Sequence, residues 1–359
     1  MSPDASLSTV PSFESRVYGC LLGGALGDSL GYAVEFDDAD TIRSRFGPAG
    51  LTSFDQLDRD IHFSDDTQMT LYTVDGLVEA LEWANDGVAA DETACLWLAY
   101  LRWLATQGVA VPASAPVPQP RWIDGHDVLR QSRHPGKACL SGLASGDMGT
   151  VARPVNPESK GCGTVIRSAP FGLIPHISEA AVYKLSADAA CLTHGHPSAR
   201  QSAGAFSVLV HGIVAGSDIR SAAEHSRDVV AALPDVAPEL PERLNRALDL
   251  SSSEAELSPE ELTAELGEGW VAEEALAVGL YAVLSTAKSA EAGPESHFHH
   301  AIAVALNHSG DSDSTASIAG NILGAFYGEA ALPAEWLQAL EAPDVIRGMA
   351  ERLIQVTVA

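Results

Sequence analysis

Residues Gly310-Asp311-Ser312-Asp313-Ser314-Thr315 set two carboxylates at the head of Ala316-Ser317-Ile318-Ala319-Gly320-Asn321-Ile322-Leu323-Gly324, which reads as a buried helix of small residues. Acids at the start of a buried helix are costly unless something neutralises them. A second cluster, Ser64-Asp65-Asp66-Thr67, precedes another helical pattern, Gln68-Met69-Thr70-Leu71-Tyr72-Thr73-Val74. Taken singly, each cluster reads first as a helix cap, because Ser and Asp accept from free amides and negative charge suits the N-terminal end of the dipole. A cap needs one acceptor, however, and adjacent carboxylates repel. Gly310 also permits a tight backbone approach before Asp311. Read together, the clusters offer oxygen ligands for hard divalent cations, and two ions held near each other need several carboxylates from different parts of a fold. Neither cluster contains sulfur, which disfavours zinc or iron–sulfur chemistry. The pattern points to a two-metal hydrolytic site.

Apolar residues recur at helical spacing over 17–33, 67–83, 93–106, 178–193, 199–215, 219–233, 240–250, 271–288, 296–306, 315–327, 333–340 and 344–356. The first of these is dense in glycine, which allows close helix contacts or close approach to a ligand. Residues 112–120 form a Pro-rich loop, and 153–163 a second loop rich in Pro and Gly. No run of alternating β-branched residues bounded by turn dipeptides appears, and no repeat of fixed period. The expected fold is all-α, a single compact multi-helix domain over 13–359, with a polar, disordered arm at 1–12.

Several segments carry a family resemblance. They are Gly23-Gly24-Ala25-Leu26-Gly27-Asp28-Ser29-Leu30-Gly31 with Glu35 after it, and Ser64-Asp65-Asp66-Thr67. Next come Lys160-Gly161-Cys162-Gly163 running into Arg167-Ser168-Ala169-Pro170, and Thr193-His194-Gly195-His196-Pro197. Gly269-Trp270-Val271-Ala272-Glu273-Glu274-Ala275-Leu276 and Gly310-Asp311-Ser312-Asp313-Ser314 complete the set. In this order they resemble the ADP-ribosylglycohydrolases, the family that includes the dinitrogenase reductase-activating glycohydrolases and the vertebrate ADP-ribosylarginine and ADP-ribosylserine hydrolases. The resemblance runs from Arg16 to about Gly328. It implies an all-α domain with a binuclear metal cleft, and hydrolysis of the glycosidic bond between ADP-ribose and its acceptor. Two Mg²⁺, or Mn²⁺, would be held by Ser64, Asp65, Asp66, Asp311, Asp313 and Ser314, the two serines standing where threonine is common. The catalytic carboxylates would be Asp66, Asp311 and Glu35, any of which could take the proton from water. By the same resemblance Ser159, Lys160, Gly161, Cys162 and Gly163 contact the diphosphate, and His194 donates to phosphate or fixes the loop. Pro135-Gly136-Lys137-Ala138-Cys139-Leu140 departs from the family's usual polar residues at Lys137 and Ala138.

Other readings compete. Asp28 reads as a structural acid for nearby backbone donors, and Glu35 by itself as a surface carboxylate. Residues 159–163 could be a plain flexible loop, with Lys160 solvated. Gly27-Asp28-Ser29-Leu30-Gly31 satisfies a serine-esterase pattern, but a nucleophile elbow must follow a strand. His194 and His196 with His297, His299 and His300 raise a zinc site, although no spacing repeats a zinc signature. Trp270 reads as core packing at a helix start, with a place lining the ADP-ribose cleft as the secondary reading. A non-catalytic ADP-ribose binder remains the alternative from another class.

The chain has 359 residues, enough for a substantial core, and a formal charge of −27, which repels nucleic-acid backbones and disfavours generic nucleic-acid binding. Five scattered cysteines argue against a disulfide framework and fit a reducing cytoplasm. No leader segment and no membrane-length apolar run is visible. The expected partner is an ADP-ribosylated protein, nucleic acid or small molecule, with discrimination between acceptors assigned to loops such as 112–136.

Overall fold

In a computed structural model of the chain, residues 10–58 and 60–358 are described. The expected arm at 1–12 lies largely outside them. Ser12 caps the first helix by accepting from Ser15 N. The helices are α1 (Phe13–Gly31), α2 (Ala39–Phe46), α3 (Asp65–Asn85), α4 (Glu92–Thr106), α5 (Lys137–Ala144), α6 (Ala169–Gly172), α7 (Glu179–Ala190) and α8 (Pro197–Val214). They continue as α9 (Ile219–Ala231), α10 (Glu239–Leu250), α11 (Pro259–Leu266), α12 (Ala272–Ser285), α13 (Pro294–Leu306), α14 (Ser312–Tyr327), α15 (Ala334–Ala339) and α16 (Pro343–Thr357). Among the described residues there is no strand, and the β-bridges Thr150–Arg153 and Gly161–Val271 stand alone. A large hydrophobic core of Leu, Ala, Val and Ile runs through most of these helices, and a second, smaller cluster packs Leu262 and Leu266 of α11 against Ala247 of α10 and Ala277, Val278 and Tyr281 of α12. No helix among the described residues is long and apolar enough to cross a membrane.

The glycines of the first helix decide the centre of the fold. Gly19, Gly23, Gly27 and Gly31 fall on one face of α1, four residues apart. A Cβ on each would overlap a backbone carbonyl oxygen of α14, those of Gly324, Gly320, Ala316 and Ser312 in turn. On the other side, a Cβ on Gly320 would overlap Gly23 O, and one on Gly324 would overlap Gly19 O. The two helices therefore run antiparallel with their backbones in direct contact. Of the alternatives the sequence left open, close helix contact is the one realised. Asn321 reinforces the pair by donating from Nδ2 to Cys20 O at 2.7 Å, and buried Arg16 donates to Ala325 O at 2.8 Å and Phe326 O at 3.1 Å, closing the end of α14.

This register brings the end of α1 to the start of α14. It predicts a sharp contrast between glycines. Gly320→Ala has no room without separating the helices, and is expected to lower unfolding free energy by about 2–3 kcal/mol. At Gly125 an added Cβ meets nothing within 4 Å, so Gly125→Ala should stay within about 0.5 kcal/mol of the parent. Urea denaturation of both variants checks this, and equal midpoints would contradict the packing.

Candidate active site

The start of α3 is organised from α1. Asp28 is fully buried, and its carboxylate accepts from Ser64 N at 2.9 Å, Thr67 N at 3.0 Å and Thr67 Oγ1. Asp28 is thus the structural acid that the sequence suggested. Ser64 is the N-cap, its Oγ accepting from Asp66 N at 3.1 Å. With Ser64 and Asp28 taking these amides, Asp65 and Asp66 are not needed as caps. Asp65 Oδ2 accepts from Gly136 N at 3.1 Å, and Asp66 Oδ2 accepts from Ser314 Oγ at 2.9 Å. That last bond joins the two acidic clusters.

The start of α14 is built differently. Asp311 occupies the N-cap position, yet its side chain makes no capping hydrogen bond. Its amide donates to Glu268 O at 2.8 Å, and Gly310, at φ 148°, lies so close to Glu268 that a Cβ would overlap that carbonyl. The Glu274 carboxylate accepts from Glu268 N at 3.2 Å and Gly269 N at 3.3 Å, tying this turn to α12. Beyond it, Trp270 O accepts from Cys162 N at 3.2 Å, and Ala272 N donates to Lys160 O at 2.9 Å. Residues 268–272 therefore hold the second acidic cluster and the glycine loop in one register. The Cys162 thiol donates to Asp311 Oδ2 at 2.8 Å, and its sulfur lies 3.6 Å from Ser314 Oγ.

Glu35 follows α1 and is about nine-tenths buried. Among the described residues its Oε2 has no hydrogen-bond partner; His134 Nδ1 stands 3.7 Å away. Next to Glu35, Phe36 is 65% exposed and stacks on Trp270, which is 39% exposed, with ring centroids 6.3 Å apart at 14°. Trp270 is therefore not the core residue expected from the sequence, because its backbone rather than its ring ties the loop. His134 meets Phe36 edge-on at 5.1 Å.

Of the remaining sequence candidates, Gly161, Gly163 and His194 form one wall, with His194 buried at 3% exposure. The Lys160 ammonium pairs with buried Glu273 at 2.6 Å and lies 3.8 Å from Glu239, so its charge is already balanced within the protein. Ser159 is fixed through its backbone, donating to Asn156 O at 2.9 Å and accepting from His196 N at 3.2 Å. Asn156 is a hub the sequence did not single out. At φ 48° it donates from Nδ2 to Ala138 O at 3.0 Å and Thr193 O at 2.9 Å, and asparagine is one of the few residues that tolerates this backbone region.

The competing chemistries do not assemble. Ser29 lies inside α1 rather than on a strand-to-helix elbow. His196 caps α8 by accepting from Ser198 N at 3.1 Å, and His297 is bonded to Tyr327 Oη at 2.8 Å and Val283 O at 2.9 Å. The Pro-rich part of the 112–136 loop covers a cavity of about 420 Å³ against α4 that contains none of the acidic cluster. Its far end, His134 to Gly136, is the part that reaches Glu35 and Asp65.

The family model for ADP-ribosylglycohydrolase matches residues 9–359. The chain belongs to this family. It is 27% identical to ADP-ribosylhydrolase ARH3 of Danio rerio, over 98% of this chain and 94% of that protein. It is 25% identical to the ADP-ribosyl-[dinitrogen reductase] glycohydrolase of Rhodospirillum rubrum, over 93% and 92%. The ADP-ribosylarginine hydrolase Tri1 of Pseudomonas putida is 24% identical, over 94% of this chain and 77% of that protein. A solved structure titled ADP-ribosylglycohydrolase-related protein complex shares the fold with a TM-score of 0.64 at 22% identity, covering 96% of this chain and 99% of that one.

Electrostatics single out the same acidic cluster of this ADP-ribosylglycohydrolase. Burial, then the charge of Asp313, pushes Asp28 up to about 7 and Glu35 up to about 10. Burial also raises Asp65, to about 8, against the stabilising Gly136 amide, and holds Asp66 and Asp311 well above the usual carboxylate range, with Asp313 again the next cause. Among the described residues no three His, Cys, Asp or Glu side chains are drawn together tightly enough to ligate one ion as they stand. In donor chemistry and charge the set still fits hard cations: carboxylates and two hydroxyls converge, and one buried oxygen of Glu35 is left without a partner.

Without a cation these carboxyls keep their protons in the fold at pH values where the unfolded chain releases them, so stability falls as pH rises through that interval. In EDTA the thermal midpoint is expected to drop from roughly pH 5 to pH 8, spanning the ordinary carboxylate range and the raised values of Asp28 and Asp65. Asp65→Asn should shrink the drop, and a parent midpoint that rises over this interval would contradict the burial.

Proposed function

We propose that this chain is a metal-dependent hydrolase that cleaves the glycosidic bond between C1 of an ADP-ribosyl group and its acceptor, releasing ADP-ribose. The observation that carries the proposal is the bond between Ser314 Oγ and Asp66 Oδ2, at which two remote acidic clusters meet beside a glycine loop. Ser64, Asp65, Asp66, Asp311, Asp313 and Ser314 are the proposed ligands of two Mg²⁺, with Mn²⁺ as a substitute. When bound, such ions would supply positive charge that holds sugar hydroxyls and acidifies a water.

The protein's own groups then have separate tasks. Gly161 and Gly163 expose backbone to an approaching diphosphate, as glycine-rich anion cradles do. As the bond from C1 to the acceptor breaks, positive charge builds on the sugar ring, and the carboxylates around it stabilise that charge. Asp66 Oδ2 and Asp311 Oδ2 are each engaged, by Ser314 and by Cys162. Glu35 Oε2, unlike these, is buried with no donor among the described residues, and it is the proposed acceptor of the proton from the attacking water. Nearby cationic charge would favour its ionised form.

The names of the relatives support an ADP-ribosylated protein as substrate. The Rhodospirillum rubrum protein is named for ADP-ribosyl-dinitrogen reductase and the Pseudomonas putida protein for ADP-ribosylarginine. Nucleic-acid and small-molecule acceptors belong to the same proposal. The five cysteines are all unpaired, which suits a reducing compartment, and the proposed location is the cytoplasm.

Release of ADP-ribose from defined modified peptides is expected with Mg²⁺ and not with EDTA. Asp66→Asn and Asp313→Asn should each lower kcat by roughly a hundredfold or more, the scale of removing a main electrostatic stabiliser. Activity untouched by EDTA and by both substitutions would refute the reading, and tight ADP-ribose binding without release would mark a binding protein instead.

A further inference from the structure

Arg167 is a buried cation without a buried anion. It is 2% exposed, and among the described residues no carboxylate lies within ion-pair distance of it. Its guanidinium sits 4.5 Å from the centroid of the Tyr100 ring, Nη1 donates to Cys139 Sγ at 3.6 Å, and Nη2 donates to Thr193 Oγ1 at 2.7 Å. Thr193 Oγ1 is in turn 2.8 Å from His194 Nδ1. The opposite edge of the His194 ring faces the glycine loop: a Cβ on Gly161 would sit 3.2 Å from Nε2, and one on Gly163 would sit 3.3 Å from Cε1.

Hydrogen counting gives this chain of groups a direction. A guanidinium donates and never accepts. Thr193 Oγ1 therefore accepts from Arg167 and has one hydrogen left to give. Two groups that can take it are near, His194 Nδ1 where that nitrogen carries no proton and Cys139 sulfur. The sulfur is the weaker acceptor and already receives the Arg167 bond, so the hydroxyl hydrogen goes to Nδ1. Burial, with the Arg167 charge as the second cause, lowers His194 to about 3, so the ring is neutral. A neutral imidazole that accepts at Nδ1 carries its proton on Nε2.

We infer that Arg167 and Thr193 are positioning residues whose hydrogen-bond relay fixes His194 in the Nε2–H tautomer and so presents a neutral donor to a phosphate oxygen held at residues 161–163. The inference rests on the proposed hydrolase reading for what the donor meets, but the relay itself is a property of the free protein. The loop-facing glycines leave the space that such an oxygen would fill, and any side chain at Gly161 would crowd it.

The test is long-range ¹⁵N–¹H NMR of histidine-labelled protein without substrate, with the His194 signals assigned by their loss in His194→Gln. A protonated Nε2 and a bare Nδ1 are expected. Thr193→Val removes the donor to Nδ1; it should give a mixture of tautomers and raise KM about tenfold, with kcat within about twofold, the scale of one hydrogen bond to a charged group. Thr193→Ser should restore both readouts. A proton on Nδ1 or an imidazolium in the parent protein, or Thr193→Val with tautomer and KM unchanged, would overturn the relay. If Thr193→Val does not fold, the parent spectrum decides. An Nε2–H tautomer in a protein that releases no ADP-ribose would refute the hydrolase reading and leave the relay standing.

Discussion

At four successive turns the backbones of α1 and α14 touch, because glycine stands wherever a Cβ would meet a carbonyl oxygen. Each glycine sacrifices up to about 1 kcal/mol of helix propensity relative to alanine. Close backbone approach offsets this through dispersion and Cα–H···O contacts over the whole length of the pair. The functional consequence is positional. Gly31 packs against Ser312 and Asp313, so Asp28, three residues earlier, and Glu35, four residues later, are delivered to the head of α14. Asp28 then reaches across to bind the first amides of α3. A helix pair held further apart by side chains would not carry both acidic clusters to one point.

The acidic cluster formed in this way concentrates negative charge in the least favourable surroundings for it. Asp28 is satisfied by amides and a hydroxyl from α3, Asp65 by one amide, Asp66 by Ser314 and Asp311 by Cys162, while Glu35 Oε2 has none. Donors of this kind stabilise single carboxylates, not a group of them with mutual repulsion. The chain neutralises its other buried carboxylates inside itself where it can, as Glu273 with Lys160 and Asp75 with Arg102 show. Among the described residues no Lys or Arg pairs with the acidic cluster, and only His134 stands near it, 3.7 Å from Glu35. That contrast, more than the presence of acids at helix ends, is what distinguishes this cluster from a pair of caps.

Much of this was legible in the sequence, and the limits have physical causes. Long helices declare themselves by periodicity, and both acidic clusters sit where the sequence put them, at the heads of α3 and α14. The first helix begins at Phe13, four residues before the periodic pattern that marked it. The eight-residue helices α2, α5 and α11 were not marked at all, because about two turns hold too few apolar positions to show a period. Candidate residues whose side chains stand at helix ends were readable. Those that act through backbone were not: Trp270 contributes its carbonyl while its ring faces outward, and Glu268 likewise holds Asp311 by a carbonyl. The sequence offers Lys160 as a phosphate ligand or a solvated lysine, and cannot reveal that Glu273, far along the chain, pairs with its ammonium.

The account stands on one claim, that the two clusters share a pair of dications. Anomalous scattering at the manganese edge from crystals grown with Mn²⁺ tests it most directly. The account predicts two peaks between the heads of α3 and α14, within bonding distance of oxygens from Asp65 or Asp66 on one side and Asp311 or Asp313 on the other. A well-ordered cleft with no anomalous density there at saturating Mn²⁺ would contradict it.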